Sequence, residues 1–272
     1  MEWRVAMRRR KGPRRALILI QGLRSLADRE RLRRLVWPDW QIVAPIAAVC
    51  LCAGAAFAFI EIVDDVLEGE AHAIDRAILL ALRTPGDAAS PIGPAWVRVF
   101  FRDITALGGY PIITLAALLA AGYLAMVRHW GSVLLLLGSV GGGTILNSYL
   151  KIVFDRPRPD FVAHLVDVET ASLPSGHATI SAVAYLTLGA LLARTQPNRW
   201  LQLYIVSASI GLTLLVGMSR VYLGVHYPTD VIAGWCLGAA WAVGCWLVAW
   251  LFSRIPAKVP KDIDGARQPS AR

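Results

Sequence analysis

The chain has 272 residues, of which 56% are hydrophobic, and a formal net charge of +9. Its mean hydropathy of +0.51 is too high for a soluble globular domain and predicts an integral membrane protein. The positive charge is concentrated at one end, because residues 1–34 carry 12 Lys or Arg against 3 Asp or Glu. This distribution is typical of a cytoplasmic tail beside anionic lipid headgroups and argues against a nucleic-acid partner.

Six apolar segments are each about long enough to cross a bilayer as a helix. They predict an all-α fold, an integral membrane six-helix bundle over residues 40–252. We expect a basic cytoplasmic tail before the bundle (1–39), with a short amphipathic segment at 17–26, and a second cytoplasmic tail after it (253–272). The six segments cover residues 40–63, 110–127, 130–151, 177–193, 200–218 and 229–251.

The first predicted loop, residues 64–109, is too long for a bare connection in a compact bundle. Two parts of it, 71–82 and 95–107, have helical apolar spacing interrupted by charges, and a Thr-Pro-Gly run at 84–86 ends the first. This pattern predicts two helices that lie in the membrane interface rather than cross the bilayer. A lipid entrance and a structural lid are both consistent with them.

Small residues are concentrated in the third span. In lipid they let helices approach closely, so we expect this span to be the central, crowded helix of the bundle rather than a phosphate-binding glycine loop. The residues are Gly138, Ser139, Gly141, Gly142, Gly143 and Thr144.

The charges of the loops predict the topology. The first loop (64–109) carries 7 acidic and 4 basic residues, whereas the short connections at 128–129 and 194–199 are basic, as are both tails. By the positive-inside rule the tails are cytoplasmic and the first loop is extracytoplasmic.

Three polar stretches interrupt the apolar second half of the chain, each at the end of a predicted span. One loop separates the first two and two further spans lead to the third, so all three should meet on the extracytoplasmic face. They are Lys151 through Arg158-Pro159, Pro174 through His177, and Ser219-Arg220 followed by His226 and Asp230. Three cations, two imidazoles and a carboxylate are suited to binding a phosphate and attacking it.

Five of these residues are candidate ligands of the phosphate oxygens. Lysine offers a point charge, and each arginine offers a planar fork that fits two oxygens. The serine and the glycine precede the fourth span, where free backbone N–H groups attract an anion, and the serine can also cap the helix. The candidate ligands are Lys151, Arg158, Ser175, Gly176 and Arg220.

His226, His177 and Asp230 are the candidate catalytic residues. The first and last are four apart at the start of the sixth span, a spacing that lets the carboxylate take one imidazole N–H and leaves the other nitrogen free as a nucleophile. His177 is then the general acid that protonates the leaving group. The sequence has no convincing metal-ligand cluster, and it indicates no cofactor.

These motifs resemble the signature of the type 2 phosphatidic acid phosphatase superfamily: Lys-x6-Arg-Pro, Pro-Ser-Gly-His and Ser-Arg-x5-His-x3-Asp. The chain has all three without departure, at 151–159, 174–177 and 219–230, and the resemblance covers about 110–251. It implies a metal-independent membrane lipid phosphatase in which His226 forms a phosphohistidine, Asp230 is its partner and His177 is the acid. The five candidate ligands then hold the phosphate.

Similarity to small bacterial members of this family favours an isoprenoid diphosphate such as undecaprenyl diphosphate, hydrolysed at the outer face of the inner membrane. Phosphatidylglycerol phosphate, phosphatidic acid and lipid A 1-phosphate are alternative substrates, and transfer of the phosphate to another lipid is an alternative reaction. The related haloperoxidases share the anion site but are soluble. A transporter or an inactive lipid-binding relative should have lost His177, His226 or Asp230, and all three are present.

Overall fold

The computed structural model describes residues 40–254, so the predicted N-terminal tail with its amphipathic segment, and the C-terminal tail beyond 254, lie outside the described residues. The candidate site lies within the compact unit that begins at Ala48. The elements of the described part are, in chain order, α1 (Trp40–Glu68), α2 (His72–Ala81), β1 (Arg83–Thr84), β2 (Asp87–Pro91), α3 (Ala95–Ala106), α4 (Tyr110–Met126), α5 (Trp130–Phe154), α6 (Gly176–Arg194), α7 (Arg199–Tyr222) and α8 (Pro228–Arg254).

Five of these helices are long and apolar enough to cross a membrane: α1 from Val43 onward, α5, α6, α7 and α8. Helix α4 meets the same test only together with α3, from which it is bent by 48°. Every segment predicted to span is helical, which confirms an all-α integral membrane protein. The count of six spans stays a prediction, because it depends on whether α3 and α4 form one broken span.

The first predicted loop contains more structure than the sequence indicated. Helices α2 and α3 form close to the two predicted segments, and their placement in the membrane interface stays a prediction. Between them, β1 and β2 pair as a small antiparallel hairpin, where we expected only a helix-ending turn. Gly86 lies in that turn with a φ of +83°, a conformation that glycine adopts without a steric penalty.

Helix α6, and not α5, is the central helix of the bundle. In an apolar stretch of 18 residues in each helix, 61% of the residues are buried in α6, compared with 28% in α5. The prediction from small residues was therefore wrong for the third span. Gly142 and Gly143 do pack closely against Trp241, but a Cβ added at Gly138 or Gly141 would meet no atom of residues 40–254 within 4 Å.

Two glycines of α8 hold the start of α6 against the start of α8. A Cβ at Gly234 would lie 2.8 Å from the carbonyl oxygen of Ser175, and one at Gly238 would lie 2.5 Å from that of Thr179. The backbone N–H of Ser175 also donates a hydrogen bond to the carbonyl of Asp230, at 3.0 Å. The second and third polar stretches are thus fixed to each other through backbone contacts.

Candidate active site

The three polar stretches meet at one end of the bundle, where they surround a cavity of about 560 Å³. Six of the eight predicted site residues line it: Lys151, Arg158, Gly176, His177, Arg220 and His226. A larger cavity of about 930 Å³, bounded by α1, α5 and α8, is almost entirely apolar and contains none of them. The polar cavity is therefore the candidate active site.

The loop segment at 170–171 orients two of the predicted phosphate ligands. Lys151 lies in the last turn of α5, and its Nζ donates to the carbonyl of Ala171 and, at 3.3 Å, to Oγ1 of Thr170. The Nε of Arg158 donates to the carbonyl of Thr170 at 2.7 Å, and its Nη1 donates to that of Val225 at 2.6 Å. Backbone carbonyl groups hold both cations at the cavity wall. Because a carbonyl has no net charge, these contacts do not neutralise the positive charge of either side chain.

Arg220 and Ser175 each keep a buried polar atom without a partner among the described residues. Arg220 is in the last turn of α7; its Nη1 donates to Oγ1 of Thr105 in α3 at 3.0 Å, while its Nε is unpaired. Ser175 occupies the N-cap position of α6, but its side chain makes no capping hydrogen bond and its Oγ is also unpaired. The prediction that this hydroxyl caps the helix was wrong. Of these two residues, Arg220 lines the polar cavity and Ser175 does not.

Gly176 and His177 form the first turn of α6, beneath the cavity. A Cβ at Gly176 would lie 3.3 Å from both Nδ2 of Asn147 and the hydroxyl of Tyr110, so a larger residue would crowd this wall. A Cβ at Gly108, between α3 and α4, would lie 3.3 Å from Cδ2 of His177. The imidazole of His177 therefore packs against the backbone between α3 and α4.

His226 presents one ring nitrogen to the cavity and the other to a buried carboxylate. Its Nε2 lies 3.3 Å from Nη1 of Arg158. Its Nδ1 lies 3.3 Å from Oγ of Ser172 and 3.5 Å from Oδ2 of Asp230, so the carboxylate contact expected from the i, i+4 spacing is present but long. Burial lowers the pKa of His226 to about 3, and the hydrogen bond to Asp230 opposes this only in part. The ring is therefore neutral near pH 7, with a lone pair on one nitrogen.

The partners of Asp230 are the main feature that the sequence did not predict. This wholly buried carboxylate accepts hydrogen bonds from Oγ of Ser172, from the backbone N–H of Tyr227 at 2.9 Å and from Nη1 of Arg156 at 2.5 Å. Arg156 lies within the first polar stretch but was given no role there, and no sequence signal marked Ser172 or Thr170. The pairing of Arg156 with Asp230 spans 74 positions, beyond the reach of local spacing.

Comparison with known proteins identifies relatives over most of the helical region. Residues 132–254 match the PAP2 superfamily. Phosphatidylglycerophosphatase B of Bacillus subtilis is 37% identical over 155 residues, which cover 56% of this chain and 74% of that protein. An undecaprenyl-diphosphatase of Sulfolobus acidocaldarius is 50% identical over 100 residues, which cover 35% of this chain and 44% of that protein.

The fold has a solved counterpart. The crystal structure of a transmembrane PAP2-type phosphatidylglycerolphosphate phosphatase from Bacillus subtilis covers 77% of this chain and 100% of that chain, with a TM-score of 0.67 and 27% identity. The sequence match, the fold and the position of the polar cavity at one end of the helix bundle all indicate the same family. The chain belongs to the PAP2 superfamily and is a metal-independent lipid phosphatase of the membrane.

Proposed function

We propose that the protein hydrolyses a membrane lipid phosphate through a phosphohistidine on His226, and that its substrate is an isoprenoid diphosphate such as undecaprenyl diphosphate. The observation that carries the mechanism is the position of Nε2 of His226, which lies 3.3 Å from Arg158 at the wall of the polar cavity. A buried, neutral imidazole is suited to attack a phosphorus atom when the neighbouring guanidinium of Arg158 binds the phosphate oxygens.

The reaction has two steps. In the first, Nε2 of His226 attacks the terminal phosphorus, the bond from that phosphorus to the leaving oxygen breaks, and His177 gives its proton to this oxygen. The leaving oxygen is the bridging oxygen of a diphosphate or the ester oxygen of a monophosphate. In the second, a water molecule attacks the phosphorus of the phosphohistidine and His177 takes the proton of that water. The bond from phosphorus to Nε2 then breaks, so inorganic phosphate leaves and His226 is regenerated. Lys151, Arg158 and Arg220, together with Ser175 and the N–H of Gly176, stabilise the charge on the phosphoryl oxygens in both steps.

Two substrates have support. The identity of 50% to the undecaprenyl-diphosphatase favours an isoprenoid diphosphate. Phosphatidylglycerol phosphate is the second candidate, because the similarity to phosphatidylglycerophosphatase B extends over the larger part of that relative, 74% of its length. Both present a terminal phosphate at the membrane surface, and the three cations of the cavity recognise this shared group rather than the lipid tail.

We further propose that the site is extracytoplasmic and that both termini are cytoplasmic. The support is the charge of the chain: residues 1–34 are strongly basic and the connection at 194–199 carries two arginines, at the end of α6 opposite the cavity. The enzyme then acts on lipids whose headgroups have reached the outer leaflet.

The experiment is phosphate release by purified protein from undecaprenyl diphosphate, phosphatidylglycerol phosphate, phosphatidic acid and lipid A 1-phosphate. We expect the highest kcat/KM for undecaprenyl diphosphate, and trapping at alkaline pH of a phosphorylated protein that His226→Ala does not form. His129→Ala, an exposed histidine on the connection between α4 and α5, is the matched control and should be phosphorylated normally. Phosphorylation of His226→Ala at the wild-type level would overturn the mechanism.

A further inference from the structure

Asp75 is a fully buried carboxylate that no part of the signature includes. It lies in α2, more than 50 positions before the part of the chain that matches the family. Its Oδ2 accepts hydrogen bonds from Nη2 of Arg156 at 2.9 Å and from Oγ1 of Thr229 at 2.6 Å. Its Oδ1 accepts the backbone N–H of Thr229 at 3.0 Å. All three contacts are to residues near the active site.

Arg156 lies between Asp75 and the carboxylate that faces the proposed nucleophile. Its Nη2 binds Asp75 at 2.9 Å, and its Nη1 binds Asp230 at 2.5 Å. Its guanidinium also lies over the ring of Tyr227, 4.1 Å from the centroid. Two carboxylates and one guanidinium, all shielded from solvent, form a single ionic chain that ends beside His226.

The charge of this chain has a chemical consequence. One arginine between two carboxylates leaves a net charge of −1 in a buried region, where electrostatic interactions are stronger than in water. When Nε2 of His226 bonds to phosphorus, the imidazole ring becomes positively charged, and Nδ1 faces this chain. Without Asp75 the remaining Arg156–Asp230 pair would be neutral, and the developing ring charge would lose its compensation.

We propose that Asp75 is a positioning residue of the active site, which acts through Arg156 and Asp230 to orient His226 and to stabilise the positive charge that forms on it. The proposal rests on the function proposed above, in which His226 is the nucleophile. Just before α2, Ala71 belongs to a buried apolar cluster with Val63 and Val66 of α1 and with Leu173 and Ala233, and this cluster holds the start of α2 in place.

A purely structural role for Asp75 would consist of its hydrogen bonds to Thr229, which attach α2 to the start of α8. Asp75→Asn separates the two roles, because the amide keeps an oxygen that can accept from Thr229 but removes the negative charge. The same change at Asp103, an exposed carboxylate of α3, is the matched control.

The test measures phosphate release and the thermal midpoint of the full-length protein in detergent. We expect Asp75→Asn to lower kcat on the order of 10- to 100-fold, the range seen for groups that orient a metal-binding imidazole from behind, with KM and the thermal midpoint nearly unchanged. Asp103→Asn should match the wild type. A wild-type kcat for Asp75→Asn would overturn the proposal.

A double-mutant cycle of Asp75→Asn and Asp230→Asn tests whether Asp75 acts through Asp230. The rate is measured as single-turnover release of labelled phosphate. If Asp75 acts through Asp230, adding Asp75→Asn to Asp230→Asn should change the rate by no more than about 2-fold. Equal losses in both backgrounds would make the role structural and overturn the proposal.

Arg156→Lys is the second variant, to be used if Asp75→Asn does not fold. It keeps a cation but cannot bridge two carboxylates. We expect it to show a similar kcat loss, and a wild-type kcat would again overturn the proposal.

The cycle can fail while the proposed function stands. Additive losses in an enzyme that still requires His226 for phosphorylation would reject the role of Asp75 alone. Phosphorylation of His226→Ala would instead reject the function on which that role depends.

Discussion

The contact between α6 and α8 at Gly234 provides a quantitative test of the site geometry. Replacing this glycine by alanine adds a Cβ 2.8 Å from the carbonyl oxygen of Ser175, 2.9 Å from Cβ of Ala178 and 3.1 Å from Oγ1 of Thr179. Ordinary van der Waals contact begins at 3.4 Å. Two of the three atoms are in the backbone or are the fixed Cβ of a small residue, so α6 itself must move by about 0.6 Å to remove the closest contact.

That movement displaces one half of the site from the other. Ser175, Gly176 and His177 travel with α6, whereas His226 and Asp230 stay with α8. A misplacement of about 1 Å can reduce catalysis about 100-fold, so a shift of this size should lower kcat by roughly 10- to 100-fold. Overpacking should also destabilise the fold by about 1–3 kcal/mol.

The assay is phosphate release by Gly234→Ala in detergent, together with its thermal midpoint. Gly211→Ala in α7 is the control, because a Cβ there would meet no atom of the described part of the chain within 4 Å and alanine favours a helix by about 1 kcal/mol over glycine. We expect the control to keep full activity. Wild-type kcat and thermal midpoint in Gly234→Ala would refute the reasoning, since the α6–α8 contact would then not determine where the catalytic groups lie.

Three further predictions concern the chemistry and its location. His177→Ala, which removes the proposed acid, should lower kcat by about 10²- to 10⁴-fold, and a substrate with a very good leaving group should partly restore the rate. The same substrate should not restore the rate of His226→Ala, and equal rescue of both variants would contradict their separate roles. Hydrolysis should persist in excess EDTA and be inhibited by vanadate, because cationic side chains bind the phosphate; loss on chelation that magnesium or zinc restores would contradict this. In a variant without the four native cysteines, Asp160→Cys should react with a membrane-impermeant maleimide in intact cells and Pro197→Cys should not; both positions are exposed, and the reverse pattern would invert the topology.

Much of the candidate site could be predicted because its residues lie at the ends of helices that the hydropathy pattern locates. Lys151 ends one span, His177 begins the next and Arg220 ends another, so counting spans is enough to place them at one membrane face. The structure brings these residues to one cavity. Topology and three short motifs were sufficient for this part, since no side-chain packing had to be known.

The residues that hold these groups in position could not be predicted in the same way. Arg156 pairs with a carboxylate 81 positions earlier in the chain and with another 74 positions later, and neither separation has a period that local structure imposes. Ser172 and Thr170 lie in an irregular loop, where small polar residues are common for many reasons. Only the three-dimensional path of the loop from 155 to 175 shows which of its hydroxyls face the site.

The error about the central helix has a related cause. Small residues permit close approach but do not supply a partner, so a count of glycines cannot tell a packed face from an open one. Gly142 of α5 meets Trp241, whereas Gly138, four positions earlier, borders the apolar cavity. Helix α6 is central because small side chains are distributed around it, which lets α5, α7 and α8 all approach.

The segment before the family-matched region therefore completes the site, although it carries none of the signature. Helix α2 supplies Asp75 to Arg156, and helix α3 supplies Thr105 to Arg220, so two buried guanidinium groups depend on residues from this segment. Asp75 is one of two carboxylates on Arg156, so its loss removes a hydrogen bond and a negative charge while the pair with Asp230 remains. The three motifs contain the groups that we propose do the chemistry, and α2 and α3 bind Arg156 and Arg220 through Asp75 and Thr105. A chain with the complete signature but with neither partner would keep the phosphate ligands and lose much of their fixed geometry.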